Sequence, residues 1–226
     1  MAEIPVLLVH GFASSFERNW REPGWVDLLE DDGRKVIGVD LLGHGQADKP
    51  HDPAAYVALE GDVARALPPD GQVDAIGFSL GAQLLLRVAA NDPTRFRRLV
   101  VGGVGESVFR VANSESAARA VETGETAEGD PAAAQAFARF ARASGNDPAS
   151  LAACLRRPAT PLRPEELSRL EVPVLVVLGD RDFAGPADPL LAALPDARLV
   201  TLHGGDHFGT PKDFRFIDAA LAFLRD

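Results

Sequence analysis

The sequence predicts an α/β fold: a mostly parallel sheet of about six strands with helices on both faces, interrupted by a short helical insertion. Three observations carry this reading. Six short runs rich in Val, Ile and Leu recur along the 226 residues, as suits strands buried on both faces. Patterns of helical period lie between most of them, the alternation that produces β-α units and parallel neighbours. One interval, about 106–166, holds no strand-like run. With 46% hydrophobic residues the chain can bury one sizeable core, so residues 1–226 are expected to form a single domain.

The first run, Ile4 to Val9, starts almost at the first residue. It is too short for a signal-peptide core and lacks the basic start, and no stretch approaches the roughly 20 apolar residues that cross a bilayer. A soluble cytoplasmic protein is therefore expected. The second run is Lys35 to Val39. The third, Val73 to Gly77, leads directly into a helical pattern from Leu80 to Ala90. The fourth, Leu99 to Gly102, follows Arg95-Phe96-Arg97-Arg98, which reads as a solvated helix-to-strand connection. In the insertion, Ala132-Ala133-Ala134-Gln135-Ala136-Phe137-Ala138-Arg139-Phe140 has helical propensity, and Pro131, Pro148, Pro158, Pro161 and Pro164 cut the interval into short helices. Long insertions in compact domains commonly cover sites, so this one reads as a lid, the alternative being a packed helical excursion with no function of its own. Val172 to Leu178 and Arg198 to Leu202 supply the last two strands, and Asp213 to Leu224 the last helix.

The formal net charge is -10, and the basic residues are scattered. Binding to nucleic acid is driven by clustered Lys and Arg, so no such partner is expected. Cys154 is the only cysteine. It can form no intrachain disulfide, and metal clusters built on cysteine are excluded. The sequence carries no signal for an oligomeric state.

Chemistry is suggested first by Gly77-Phe78-Ser79-Leu80-Gly81, at the seam between the third strand and its helix. A serine on an extended strand or a regular helix cannot aim its hydroxyl sharply at the rim of a sheet, whereas a tight turn between the two can. Such a turn strains the serine and draws its neighbours against adjacent backbone, so residues without a Cβ are needed at 77 and 81. The helix that follows directs its N-H groups at whatever the serine attacks. The stretch has neither the G-x-x-x-x-G-K-[ST] nor the G-x-G-x-x-G spacing, which removes a phosphate-cradling role.

A serine hydroxyl needs a base to take its proton, and neutral histidine is the usual one. Five histidines are available: His10, His44, His51, His203 and His207. His207 lies in Gly204-Gly205-Asp206-His207-Phe208-Gly209, a glycine-framed loop after the last strand, at the rim where Ser79 would project; it is the expected base. The base in turn needs a carboxylate to fix its tautomer. Asp182 in Gly179-Asp180-Arg181-Asp182 stands far enough from its strand end to reach the next loop and is preferred over Asp180, with Glu106 the outsider.

These residues and motifs resemble an α/β-hydrolase fold serine hydrolase over nearly the whole chain. The resemblance runs from Val6-Leu7-Leu8-Val9-His10-Gly11-Phe12 through Val39-Asp40-Leu41-Leu42-Gly43-His44-Gly45 and Gly77 to Gly81, to Gly179-Asp180-Arg181-Asp182 and Gly205-Asp206-His207-Phe208. The chain order Ser79, Asp182, His207 is the order that fold uses. The resemblance implies an oxyanion hole from the backbone amides of Phe12 and Leu80, with His10 a structural residue shaping the turn. It also implies two-step acyl transfer on a carboxylic ester, lactone or thioester, without metal or organic cofactor. The expected partner is a small molecule with an apolar part, since Phe12, Phe78 and Leu80 are expected at the rim, joined by the lid residues Phe109, Phe137 and Phe140 where these do not belong to the core instead.

Two other readings stand beside it: the same triad hydrolysing a carbon-carbon bond in a vinylogous diketone or performing perhydrolysis, and a hydrolase-like protein that binds without turnover. Dehalogenases of similar fold use Asp where Ser79 stands, which disfavours that branch. Departures from the family pattern are Leu42, where Arg is common, the missing antiparallel hairpin ahead of the first strand, which implies a reduced sheet of six parallel strands, and a short lid, which implies an open or shallow pocket.

Overall fold

The computed structural model describes residues 4–110, 115–125 and 132–226, with residues 132–134 described by their backbone alone. Pro131, read above as a helix breaker, lies outside them. Six parallel strands form one sheet in the order β2-β1-β3-β4-β5-β6: β1 Val6–Val9, β2 Val36–Val39, β3 Val73–Phe78, β4 Phe96–Gly102, β5 Val174–Gly179 and β6 Ala197–Leu202. Alternation along each strand divides the apolar side chains between two cores. Val6 and Leu8 face α1 (Trp25–Asp31) and α9 (Phe214–Arg225), where Trp20, Trp25 and Phe216 pack edge to face. Leu7 and Val9 face the other side, with α2 (Glu60–Ala66), α3 (Leu80–Asn91) and α8 (Asp188–Ala193).

Strand β4 starts earlier than the apolar run suggested, and the reason is electrostatic. Arg97 and Arg98 are strand residues, not a solvated connection. Arg97 donates from Nε (2.9 Å) and Nη2 (2.6 Å) to the carboxylate of fully buried Asp74, which also pairs with Arg34. Arg97 and Arg98 further donate to the carbonyls of Leu224 and Phe223, two of the otherwise unsatisfied acceptors at the end of α9. The run thus ties β3, β4 and the last helix together.

Between β4 and β5 the chain forms α4 (Glu115–Thr123), α5 (Ala132–Arg142), α6 (Pro148–Arg156) and α7 (Pro164–Leu167). Asp147 caps α6 by accepting from the Ala149 amide at 3.0 Å, and Pro148 occupies the first turn, where its missing N-H costs nothing. The insertion is anchored to the strand-end loops. Asn146 accepts from the Gly45 amide at 2.8 Å and donates to the Ser14 carbonyl at 3.2 Å. Ser150 and Tyr56 share a buried 2.7 Å hydrogen bond. The loop carrying Leu42 holds without an arginine: the Leu42 amide donates to Asp62, the Gly43 amide to the Asp48 carbonyl, and Asp40 accepts from Phe16 and Gln46.

No helix among the described residues is long and apolar enough to cross a membrane.

Candidate active site

Ser79 stands between β3 and α3 with φ +52° and ψ -114°, a left-handed conformation that costs a non-glycine residue strain. The surroundings enforce it: its amide donates to the Gly102 carbonyl at 2.8 Å, and its own carbonyl accepts from Gln83 as α3 begins. Both flanking glycines are required by close approach. A Cβ on Gly77 would stand 2.8 Å from Ala82 backbone atoms, and one on Gly81 would meet the carbonyl oxygens of Val9 and His10, the latter at 2.5 Å. Helix α3 therefore starts pressed against the end of β1, where its first amides are unsatisfied.

His207 comes from the loop after β6, and Asp182 from the loop after β5. The imidazole Nε2 is 2.9 Å from Ser79 Oγ, and Nδ1 is 2.9 Å from both carboxylate oxygens of Asp182. Asp182 Oδ1 also accepts from the Ala184 amide at 2.8 Å, which holds the carboxylate in place. Asp182 and His207 are buried and Ser79 is half-buried. The ring of His207 packs against Phe78 (5.0 Å between centroids) and Phe183 (4.3 Å). Of the other acids considered, Asp180 bonds the Gly204 amide and stands beside His203, while Glu106 pairs with Arg110. Neither is a partner of His207 in this arrangement.

The loop after β1 is fixed from both sides. Asn19 accepts from the Gly11 amide at 2.9 Å, and the Gly11 carbonyl accepts from Ser14. His10 Nδ1 lies 2.7 Å from the Gly11 carbonyl, while its Nε2 accepts from the Leu41 amide at 3.1 Å, which sets the tautomer with the proton on Nδ1. Burial lowers the His10 pKa. His44 is pushed down to about 3, chiefly by burial and then by its neighbour His10, and its ring meets Phe12 edge to face at 5.6 Å. No described residue accepts from the Phe12 amide, and the Leu80 amide is the first of α3.

A cleft of about 440 Å³ opens at Ser79 and His207, within the range of small-molecule sites. Part of its wall comes from α6 and the segment after it, which contribute Leu155, Arg157, Thr160 and Leu162. Leu80, Gln83 and Arg87 line one face of α3 along its floor. Arg87 donates to the Thr160 carbonyl and Arg157 to the Cys154 carbonyl; neither is ion-paired to a carboxylate among the described residues. A second chamber of about 50 Å³ lies against the same Ser79 and His207. Phe12, Phe78, Leu80, Phe137 and Phe140 border one space or the other; Phe137 and Phe140 also pack against the main core, as does Phe109, which borders neither space.

Sequence reasoning missed Phe183 and Phe208 as walls of the site, and Asn19 and Asn146 as supports of its loops. The signal for the two phenylalanines was their place directly after Asp182 and His207. Among the described residues, no group of three or more His, Cys, Asp or Glu side chains is arranged to hold a metal ion.

Comparison with known proteins gives a consistent picture. A family model described as Alpha/beta hydrolase family matches residues 6–219. An uncharacterized protein of Mycobacterium tuberculosis is 28% identical over 271 residues, covering 97% of this chain and 74% of its own. The 2-hydroxy-6-oxo-2,4-heptadienoate hydrolase of Pseudomonas putida is 37% identical over 110 residues, 46% of this chain and 38% of that enzyme. Among solved structures, an esterase from Rhodococcus sp. ECU1013 superposes with a TM-score of 0.68 at 25% identity, covering 100% of this chain and 91% of that one.

Proposed function

This chain belongs to the alpha/beta hydrolase family, and from that premise we propose that it is a serine hydrolase acting by acyl transfer on a small carbonyl compound. The observation that carries the reading is the continuous hydrogen-bonded series Asp182, His207, Ser79 at the mouth of the cleft. In it Ser79 Oγ attacks the carbonyl carbon while His207 Nε2 takes the hydroxyl proton. Asp182, held to Nδ1-H, stabilises the imidazolium that forms. The amides of Phe12 and Leu80 receive the negative oxygen, each such donor contributing about 3 kcal/mol to the transition state. His207 returns the proton to the leaving group, and water then releases the acid from Ser79 by the same steps in reverse order.

For the bond cleaved we put first a carbon-carbon bond beside a ketone in an anionic substrate. Two features favour it over a neutral ester: the similarity to a heptadienoate hydrolase, and Arg87 and Arg157 lining the cleft with no salt bridge to a carboxylate among the described residues, Arg87 lying near enough to Glu166 only to lower its pKa. A charge-assisted contact of that kind suits a carboxylate. The esterase from Rhodococcus, matched along the whole chain, keeps ester hydrolysis as the second reading. The test is a comparison of kcat/KM for 2-hydroxy-6-oxo-2,4-heptadienoate and p-nitrophenyl butyrate. A higher value for the keto acid supports the first reading; turnover of the ester alone replaces it with the second.

A further inference from the structure

The two spaces at Ser79 differ in volume, about 50 Å³ against about 440 Å³, and four residues border both: Phe12, Ser79, Phe137 and His207. Ser79 and His207 are the reacting groups of the proposed mechanism, and Phe12 belongs to the loop after β1. Phe137, on α5, is the one contributed by the insertion. Its ring lies flat on Phe12, 5.0 Å between centroids and 8° from parallel, with Phe183 at 6.5 Å and Phe208 at 6.4 Å. The stacked pair therefore stands as a wall between the two sides of Ser79.

The wall separates spaces of different character. On one side the chamber is narrowed by Phe78, Asn19, Phe140 and Phe208, opens outward past Arg18 and Lys212, and has room for about four water-sized atoms. On the other, Leu80, Gln83 and Arg87 recur at helical spacing, so the cleft follows α3 for about 12 Å from Ser79. A tetrahedral centre on Ser79 must send one substituent each way, because the oxyanion and the serine oxygen take the other two positions.

We infer that Phe137 is a specificity-determining partition, and that the substrate is an asymmetric carbonyl compound: one limb of no more than about four heavy atoms in the small chamber, the other long and lying along α3. The inference rests on Ser79 being the nucleophile but holds for either bond type. Its measurement therefore avoids bond cleavage in a substrate. Ser79 would be labelled with O-methyl and O-hexyl hexylphosphonofluoridate, reagents with one long limb and either a short or a second long one, and second-order rates followed by intact mass.

The native protein is expected to react with the O-methyl reagent at least about tenfold faster, the scale of pocket discrimination between apolar groups. Phe137→Ala is expected to bring the ratio close to one, with Phe137→Leu between. Equal rates in the native protein, or an unchanged ratio in a Phe137→Ala protein that keeps its circular dichroism and Tm, would overturn the partition while leaving Ser79 as nucleophile. If Phe137→Ala does not fold, Phe137→Leu and the native ratio decide the matter. Failure of both reagents to label Ser79 removes the nucleophile reading and the partition with it.

Discussion

His207 Nε2 stands 2.9 Å from Ser79 Oγ although 128 positions of chain separate the two residues. The serine's strained turn is held by backbone hydrogen bonds to Gly102 and Gln83 and by two close-packed glycines, so its hydroxyl is not needed for the turn itself. Ser79→Ala should lower kcat for p-nitrophenyl butyrate by at least about 10³-fold with an unaltered circular dichroism spectrum and Tm. Turnover surviving at the native level would assign the chemistry to another residue.

Asp182 and Asp180 lie two residues apart in one loop but face different partners: Asp182 meets His207, and Asp180 meets Gly204 and His203. An amide at 182 keeps the shape of the side chain, and its acceptance from Ala184, but cannot stabilise an imidazolium or enforce the Nδ1-H tautomer. Asp182→Asn should therefore reduce kcat by about 10³ to 10⁴-fold. Asp180→Asn should stay within about twofold, as expected for a substitution away from the reacting groups. The pair, assayed side by side, reads out position rather than loss of a loop charge, and equal effects would defeat the assignment.

The strands and helices that carry these residues were legible because buried strands read as unbroken Val, Ile and Leu runs and α3 has a clear apolar period. Asp182 was separable from Asp180 only by its extra reach. What the sequence hid depends on contacts across the chain. Arg97 and Arg98 look like a solvated connection until buried Asp74 and the carbonyls of α9 supply partners. Phe109 and Phe137 are both insertion phenylalanines packed against the main core, yet only Phe137 also stacks on Phe12 and borders the cleft. Nothing in local spacing distinguishes them, because the choice is set by how the insertion docks, through Asn146 and Ser150, onto loops about 100 residues earlier.

Protonation of His44 opposes folding. Its Nδ1 bonds the Leu42 carbonyl, its buried Nε2 has no hydrogen-bond partner among the described residues, and burial pushes its pKa down to about 3. The unfolded value is about 6.5, so between these values the unfolded chain holds a proton that the folded chain refuses. Stability is thus complete above pH 6.5 and is lost as pH falls toward 3, by about 2 kcal/mol at pH 5. Lowered His10 acts in the same direction. Differential scanning calorimetry should show Tm falling from pH 7.5 to 5. His44→Gln should have a lower Tm at pH 7.5, through lost packing on Phe12, but a smaller fall with acid; an undiminished fall would exclude His44 as the cause. The carboxylates of Asp32, Asp147, Asp213, Glu115 and Glu166 are held below their ordinary values by hydrogen bonds, so their protonation adds little to the fall between pH 7.5 and 5.

Gly81 joins the fold to the chemistry. The carbonyls of Val9 and His10 that a Cβ at 81 would strike are backbone atoms at the end of a central strand, so they cannot rotate aside as a side chain could. Relief requires α3 to tilt away from β1, and the same tilt moves the Leu80 amide and Ser79 relative to Phe12. Gly81→Ala is accordingly expected to cost about 3 kcal/mol, read as a lower urea midpoint. The folded fraction should also show reduced kcat, since the donors flanking Ser79 are displaced together. Gly71 supplies the contrast: its φ of +83° strains an alanine, but nothing lies within 4 Å of the added Cβ. Gly71→Ala should cost about 1 kcal/mol and leave kcat unchanged. If the two substitutions shifted the midpoint equally, close packing of α3 on β1 would not be what makes residue 81 a glycine.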